Sequence, residues 1–408
     1  MKKNSLPAVF GGVPVRRRFL VFGRPYVGKE EIEEVVATLK SGWWGTGPKT
    51  EKFEAVFAKY AKAQYAVSVN SATAGLHLAL KVLGIGPGDE VITTPMTFVS
   101  TANVILHCGA KPVFADIERD TWNIDPTKIE AKITKKTKAI LPVHLHGRPA
   151  NMDAILRIAR KHKLFVVEDA AHAVEAKYHG RKIGSIGNLT VFSFYSTKNV
   201  ATAEGGMTTT NNRKLNERLR ILRLHGLSLD AYKRYSVKHF TLYEAVEPGY
   251  KYNLTDIASS LGLHQLARVE RNLITRKRIW RKYMRAFAGN SYLALPAPIE
   301  PRTRHAMHLF AILLDLDRLK VKRNEFIDAF IKEGIGSGVH FSPIHLHEYY
   351  RKTFGYKKGD FPVAEYVGER TVSLPLAGNL TDKDANGVIS AVLKLVSYYS
   401  KTSSINPE

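Results

Sequence analysis

The 408-residue chain has a single cysteine, Cys108, so no disulfide can close within it and no cysteine cluster can hold a metal. Its setting, ILHCGAKP, reads as that of a small buried residue. Long apolar runs are missing as well. None approaches the roughly 20 residues of a membrane-spanning helix, and the apolar stretch in MKKNSLPAVFGGVPVRRRF is too short and too broken by Gly and Pro for a secretory signal. These absences point to a cytoplasmic protein with no membrane span. Acidic residues are scarce beside basic ones, 37 against 61, for a formal net charge of +24. Such a surplus favours anionic partners, whether nucleic acid, anionic membrane or phosphorylated small molecules. Zinc-finger spacing, an RNP-type aromatic motif and a clear helix-turn-helix are all lacking, which argues against a nucleic-acid binder. The basic residues are densest in KITKKTK (Lys132 to Lys138) and RVERNLITRKRIWRKYMR (Arg268 to Arg285); the latter reads as a helix with cations around a thin apolar stripe.

With 44% hydrophobic residues the chain can build a sizeable core in two domains. Over its first two-thirds, short β-rich runs alternate with segments of helical period. YAVSV, EVITT, KPVFADI, KAILPVHL, LFVVED and LTVFSF read as strands. KEEIEEVVATLKSG, ATAGLHLALKVLG, VSTANVILHCG, MDAILRIARKHK and, more weakly, PTKIEAKI read as helices. This alternation predicts an α/β fold with a mostly parallel sheet sandwiched by helices. After about Asn253 the rhythm changes to long helices and then mixed elements, so a large domain is expected over 1–260, with an N-terminal arm over about 1–28, and a smaller α+β domain over 261–408.

In such sheets ligands sit beyond the carboxyl ends of the strands. After YAVSV comes NSATAGLH, where Ser71, Ala72 and Thr73 open a helix and can offer N–H groups and a hydroxyl to a phosphate; an ordinary Ser/Thr cap would explain the same residues. After LFVVED comes DAAHA. Asp169 there ends an apolar strand, where a carboxylate requires a partner such as a protonated ring nitrogen, and His172 can reach the same ligand. After LTVFSF come Ser193 and then Lys198, whose amine in a partly desolvated cleft can form a Schiff base. Phe98, in TPMTFVST, can stack on a ring. Each signal is weak alone. Phosphate cradle, strand-end aspartate and strand-end lysine on one sheet together specify pyridoxal 5'-phosphate. His340, His345 and His347 in VHFSPIHLHEYY lack the spacing of zinc proteases, so no metal site is expected; His340 suits a substrate loop.

The segments SGWWGTGPKTEKFE, VNSATAGLH, GDEVITTPMTFVSTAN, VVEDAAHAVEAKYHGRKIG, FSFYSTKNVATAEGGM, LHGLSLDAYKRY, PGYKYNLTDIASSLGLHQL and GIGSGVHF together resemble the DegT–StrS family of PLP-dependent nucleotide-sugar aminotransferases. Within it they look most like the branch acting on UDP-4-amino-4-deoxy-L-arabinose with oxoglutarate, although Phe98 stands where that branch carries tryptophan. The resemblance implies a fold-type I homodimer with shared active sites. Lys198 would carry the cofactor, Asp169 pair with its pyridine nitrogen and His172 contact its hydroxyl side. Ser193 and the Ala72–Thr73 backbone would bind its phosphate, with Asn253 reaching in from the neighbouring subunit. Arg24, Trp44, Thr46 and Lys251 are substrate candidates by position. The implied reaction is ping-pong transfer of an amino group from L-glutamate, released as 2-oxoglutarate, through the pyridoxamine 5'-phosphate form. The acceptor would be C4 of a UDP-4-keto-pentose, or alternatively C3 or C4 of another nucleotide-linked keto-hexose such as UDP-2-acetamido-4-keto-6-deoxyhexose. Polysaccharide or lipopolysaccharide biosynthesis would consume the amino sugar. A non-catalytic relative that binds an anion is the reading from a different class, and the intact lysine, aspartate, histidine and serine count against it.

Overall fold

A computed structural model describes residues 6–228 and 244–401; of the motif LHGLSLDAYKRY, residues 229–235 lie outside the described residues. The helices are α1 (Lys29–Lys40), α2 (Pro48–Ala61), α3 (Ala72–Val82), α4 (Ser100–His107), α5 (Pro126–Ile129), α6 (Met152–His162), α7 (Arg213–Leu222), α8 (Asp256–Ala267), α9 (Val269–Phe287), α10 (Arg323–Lys332), α11 (Glu348–Phe354), α12 (Pro362–Arg370) and α13 (Asp382–Lys401). The first half supplies strands β1 (Tyr65–Val69), β2 (Glu90–Thr93), β3 (Lys111–Phe114), β4 (Thr137–Leu141) and β5 (Phe165–Asp169). A short hairpin follows, β6 (Lys177–Tyr178) with β7 (Arg181–Lys182), then β8 (Leu189–Ser193) and β9 (Gly206–Thr210). The last three are β10 (Leu293–Ala294), β11 (Phe310–Leu314) and β12 (Thr371–Leu374).

Seven of these strands form one sheet in the order β1-β9-β8-β5-β4-β2-β3. All neighbours pair in parallel except β9, which runs antiparallel to both β1 and β8. Helices cover both faces, and β8 and β9 are buried along their whole length, as expected for central strands wound by βαβ crossovers. The sequence predicts this mostly parallel sheet but not β9, whose run GMTTT lacks the apolar signature. Two of its threonines bond to backbone instead, Thr209 Oγ1 donating to Gly184 O at 2.8 Å and Thr210 Oγ1 to Asn188 O at 2.8 Å, while the Thr208 hydroxyl is buried without a hydrogen-bond partner among the described residues. The weak helix around PTKIEAKI shortens to a four-residue α5 and a 3-10 turn.

Polar side chains end the strands and start the helices. Ser71 Oγ accepts the Ala74 N–H at the start of α3, and Asn151 and Thr255 cap α6 and α8 in the same way. The buried Asp256 carboxylate accepts the N–H groups of Gly47, Lys49 and Thr50, fixing α2 against α8.

Beyond α8, the antiparallel sheet β10-β11-β12 packs with α9, α10 and α13 around Trp280, Tyr283, Phe310, Phe326 and Leu395. The N-terminal segment belongs to this unit by contact. Glu333 accepts the Ala8 and Val15 N–H groups at 2.8 Å, Arg16 pairs with Asp384, and Leu20 bridges to Ile335. A separate apolar cluster joins the two sheets, with Met96 and Phe114 from one side meeting Leu313, Tyr350 and Phe361 from the other. Buried aromatics of this kind contribute roughly 1.5–3 kcal/mol each, so the seam holds the cleft walls in register. No helix among the described residues is long and apolar enough to cross a membrane.

Candidate active site

Four loops leave the carboxyl ends of β1, β2, β5 and β8 and meet at one edge of the large sheet. From β5 comes Asp169, 5% exposed, its backbone clamped by Pro142 O and the His144 N–H. Its Oδ2 accepts a 2.8 Å hydrogen bond from Thr101 Oγ1 and its Oδ1 one of 3.1 Å from the Ala171 N–H. Thr97 Oγ1 lies 2.9 Å from Thr101 Oγ1, so a hydroxyl pair from the β2 loop supports the carboxylate. Burial pushes the Asp169 carboxyl up, against the pull of those two donors and of Lys198. A cation against this carboxylate would relieve it.

Lys198 follows β8 and is partly exposed in a cleft that Arg24, Tyr26, Asn199, Arg276 and Asn379 also line. Loss of hydration draws its amine down to about 8, while Asp169 acts in the opposite sense. The loop is braced from below. Asn199 Nδ2 donates to Glu175 at 2.9 Å, its Oδ1 meets His308 Nδ1 at 3.0 Å, and Glu175 is in turn ion-paired with the buried Arg276. From above, Gly23 closes on Thr197. Its φ is +66°, and a Cβ there would come within 3.1 Å of the threonine side chain, so only glycine lets Arg24 approach the lysine loop this closely.

His172 is buried, and its Nδ1 accepts the His146 N–H at 3.2 Å, which places the proton of the neutral ring on Nε2. It stacks on Phe341 at 6.0 Å and lies 4.5 Å from His308. His340 comes from the smaller unit; its backbone oxygen lies 2.9 Å from His146 Nε2 and its ring stacks on Phe22. All four imidazoles are held neutral mainly by burial, His146 at about 4 and His340 at about 3. Phe98 is 57% exposed and touches Phe341 at 6.1 Å.

At the start of α3, Ser71 accepts the Ala74 N–H through its side chain and the Gly75 N–H through its backbone oxygen. The first-turn N–H groups of Ala72 and Thr73 are the donors left for an anion. Strand β9 runs hard against this turn, since a Cβ on Gly206 would lie 2.8 Å from Ala72 N. Ser193 is buried nearby in sequence order at the end of β8, its Oγ accepting the Tyr195 N–H.

The remaining expected residues form a second group. Thr46 Oγ1 donates to Leu254 O and accepts from Asn253 Nδ2 at 2.6 Å, while Trp44, 55% exposed, anchors its indole on Leu39 O. Lys251 is exposed, and its backbone oxygen accepts from Asn70 Nδ2. None of these four lines the cleft beside Lys198. No group of three or more His, Cys, Asp or Glu among the described residues could hold a metal ion. His345, from the histidine run, is tied instead to Glu365 at 2.9 Å.

Sequence reasoning missed Thr97 and Thr101, which stand four apart in the quoted TFVST, the helical spacing that puts two hydroxyls on one side. It also missed Asn199, Glu175, Arg276, His146 and His308, whose roles depend on contacts between distant segments.

A helix-start anion cradle, a buried carboxylate lacking a cation and a lysine with a lowered pKa make one donor set, and it fits pyridoxal phosphate group by group. The sequence pattern of the DegT/DnrJ/EryC1/StrS aminotransferase family matches residues 25–393. The chain belongs to this family. An uncharacterized protein of Methanocaldococcus jannaschii is 53% identical over 383 residues, covering 94% of this chain and 99% of its own. The spore coat polysaccharide biosynthesis protein SpsC of Bacillus subtilis is 51% identical over 385 residues, covering 94% and 99%. Among solved structures, Spr1654 of Streptococcus pneumoniae, assigned as a sugar aminotransferase, superposes in its PMP form with a TM-score of 0.87 at 36% identity, covering 93% of this chain and 100% of that one. It has also been solved in a PLP form. DegT/DnrJ/EryC1/StrS aminotransferases are PLP-dependent, and this member is a sugar aminotransferase with the fold-type I architecture.

Thr101 positions Asp169, and its removal tests that arrangement. Thr101→Val leaves Oδ2 without its buried donor, a loss of about 1.5–3 kcal/mol for a bond to a charged group. Both cofactor affinity and kcat are expected to fall roughly tenfold or more, with Thr101→Ser restoring them. Unchanged cofactor affinity in the valine variant would show that Thr101 does no more than pack.

Proposed function

We propose that the chain transfers the amino group of L-glutamate to a keto-sugar nucleotide, with Lys198, Asp169 and His172 as the reacting-site residues. The observation that carries this reading is a buried carboxylate ending β5 together with a lysine in the loop after the neighbouring strand β8, its amine drawn down to about 8 by lost hydration. Pyridoxal phosphate, when bound, supplies an electron sink for the bond broken at the amino-acid Cα. The protein supplies the rest. Ala72, Thr73 and Ser193 hold the phosphate, and Asp169 keeps a proton on the ring nitrogen. His172, with its proton on Nε2, would donate to the cofactor's ring oxygen, and Phe98 would cover one ring face. Lys198 would hold the cofactor's aldehyde carbon, and its amine, with a pKa drawn down to about 8, would serve as the base that takes the proton from the amino-acid Cα.

Arg24 is the cation beside this cleft suited to a substrate carboxylate or diphosphate, and His340 is suited to the sugar. Asn253, Thr46, Trp44 and Lys251 make sense as a surface that completes the site of a second subunit in a homodimer. That reading accounts for the exposure of Trp44. The enzyme would work in the cytoplasm, where sugar nucleotides are made.

For the acceptor we favour C4 of a UDP-4-keto-pentose, on the motifs shared with the arabinose branch. A keto-hexose is the second reading, supported by Phe98 in place of tryptophan and by the role of SpsC in a spore coat polysaccharide. Purified enzyme reconstituted with the cofactor and given L-glutamate alone should release one 2-oxoglutarate per chain. Added UDP-4-keto-pentose or UDP-2-acetamido-4-keto-6-deoxyhexose should then gain one amino group, read by mass spectrometry, with the true acceptor reacting fastest. Release of no 2-oxoglutarate would overturn the proposal.

A further inference from the structure

The basic helix α9 reaches the site above through Arg276, yet most of its cations, the densest run in the chain, lie outside that cleft. Its cations are divided in their pairing. Arg276 is buried against Glu175, while Arg278 and Lys282 share Asp382. Lys277, Arg281 and Arg285 form no ion pair among the described residues. Spaced four residues apart, these three stand in a row about 6 Å from one to the next, spanning roughly 12 Å along one side of the helix.

That row lines a cleft of about 830 Å³, within the size range of small-molecule sites. Trp280, largely buried, and Met284 interleave with these cations on the same helix, and Ala297, Pro298 and Ile299, from the segment after β10, add further apolar lining. Glu300, the one carboxylate in the lining, is already held by Arg148. Thr303 also lines the cleft, and its hydroxyl is buried without a hydrogen-bond partner. Lost hydration, and then the neighbouring Arg304 and Arg281, draw the Lys277 ammonium down against the opposing pull of Glu270.

We propose that this cleft is a second, non-catalytic binding site for a nucleotide, with Lys277, Arg281 and Arg285 taking the phosphates and the Trp280–Met284–Ile299 wall taking the base. A row of cations without ion pairs beside an apolar patch in one cleft matches a ligand with a charged end and a flat, weakly polar end. The cleft is concave, which suits a small molecule better than the regular outer face of a duplex.

The test is calorimetric titration of the cofactor-loaded enzyme with UDP, and separately with inorganic pyrophosphate, in about 150 mM salt, where exposed charges are screened beyond roughly 8 Å. The comparison enzyme is the triple variant Lys277→Gln, Arg281→Gln, Arg285→Gln, with its melting temperature and kcat checked against the parent. If the sugar-nucleotide reading above holds, the parent should bind two UDP per chain and the variant one. If that reading fails, the counts should be one and none. In either case the variant's second-site affinity falls about 100-fold or more, while kcat at saturating substrate is unchanged. Pyrophosphate should bind the cleft at least about tenfold more weakly than UDP, because it lacks the part that meets the wall. Equal UDP binding by parent and variant would overturn the site. So would binding that vanishes at this salt, or pyrophosphate binding as tight as UDP.

Discussion

Lys198→Ala should lower kcat by about 10⁴-fold or more while leaving the fold intact, because in the proposed mechanism the lysine is both the cofactor's anchor and its proton carrier. The anchor role separates from mere charge through Lys198→Arg. Arginine keeps the positive charge beside Asp169 but cannot lose its proton near neutral pH, so it should be as inactive as alanine. Borohydride treatment should fix the cofactor to the Lys198 peptide in the parent and to nothing in either variant. Cofactor should still enter the variants through the cradle of Ala72, Thr73 and Ser193, and should be lost on dialysis. The pH dependence follows from the lowered amine pKa. The neutral amine is the nucleophile, so the rate at which apoenzyme captures the cofactor should rise with pH through about 8 and level off above it. An ordinary lysine would still be rising near pH 10. A variant at position 198 that retains normal turnover would remove the chemical role of this residue.

Residues adjacent to strand ends were legible because sequence and site coincide there. Asp169, Ser193 and Lys198 each follow an apolar run that can be recognised as a strand, and Ser71 opens a helix whose period is plain. Strand β9 was not legible, since Thr209 and Thr210 are paired through hydroxyl-to-backbone bonds that no local pattern announces. Nor was the bracing of Lys198. Glu175, Arg276, His308 and Asn199 come from four places in the chain, and each alone looks like a solvated polar residue. Their partnership exists only after the smaller unit folds against the large sheet. The N-terminal segment shows the same limit. Its run of arginines reads as a basic arm, yet Arg16 and the backbone around it are tied to Asp384 and Glu333 more than 300 residues away.

Asp169→Asn is the substitution that should separate binding from chemistry. Asparagine keeps the size of the side chain; its one carbonyl oxygen can accept from the Ala171 N–H while its NH2 donates to the rotatable Thr101 hydroxyl, so the loop should hold its shape. What it loses is the charge. A carboxylate that burial already pushes up has one strong reason to stay ionised, a cation held against it. With a neutral amide there, the ring nitrogen loses its counter-ion, and the cofactor its capacity to withdraw electrons. kcat is expected to fall roughly 10²–10⁴-fold, the range for removing an electrostatic or proton-transfer group. The KM for the sugar nucleotide should change little, since Asp169 faces the cofactor rather than the cation at Arg24. Lys198 offers an independent readout. Asp169 favours its charged form, so removing that carboxylate should move the capture-rate midpoint below about 8. A midpoint that stays in place, together with an unchanged kcat, would mean that Asp169 only caps the loop after β5.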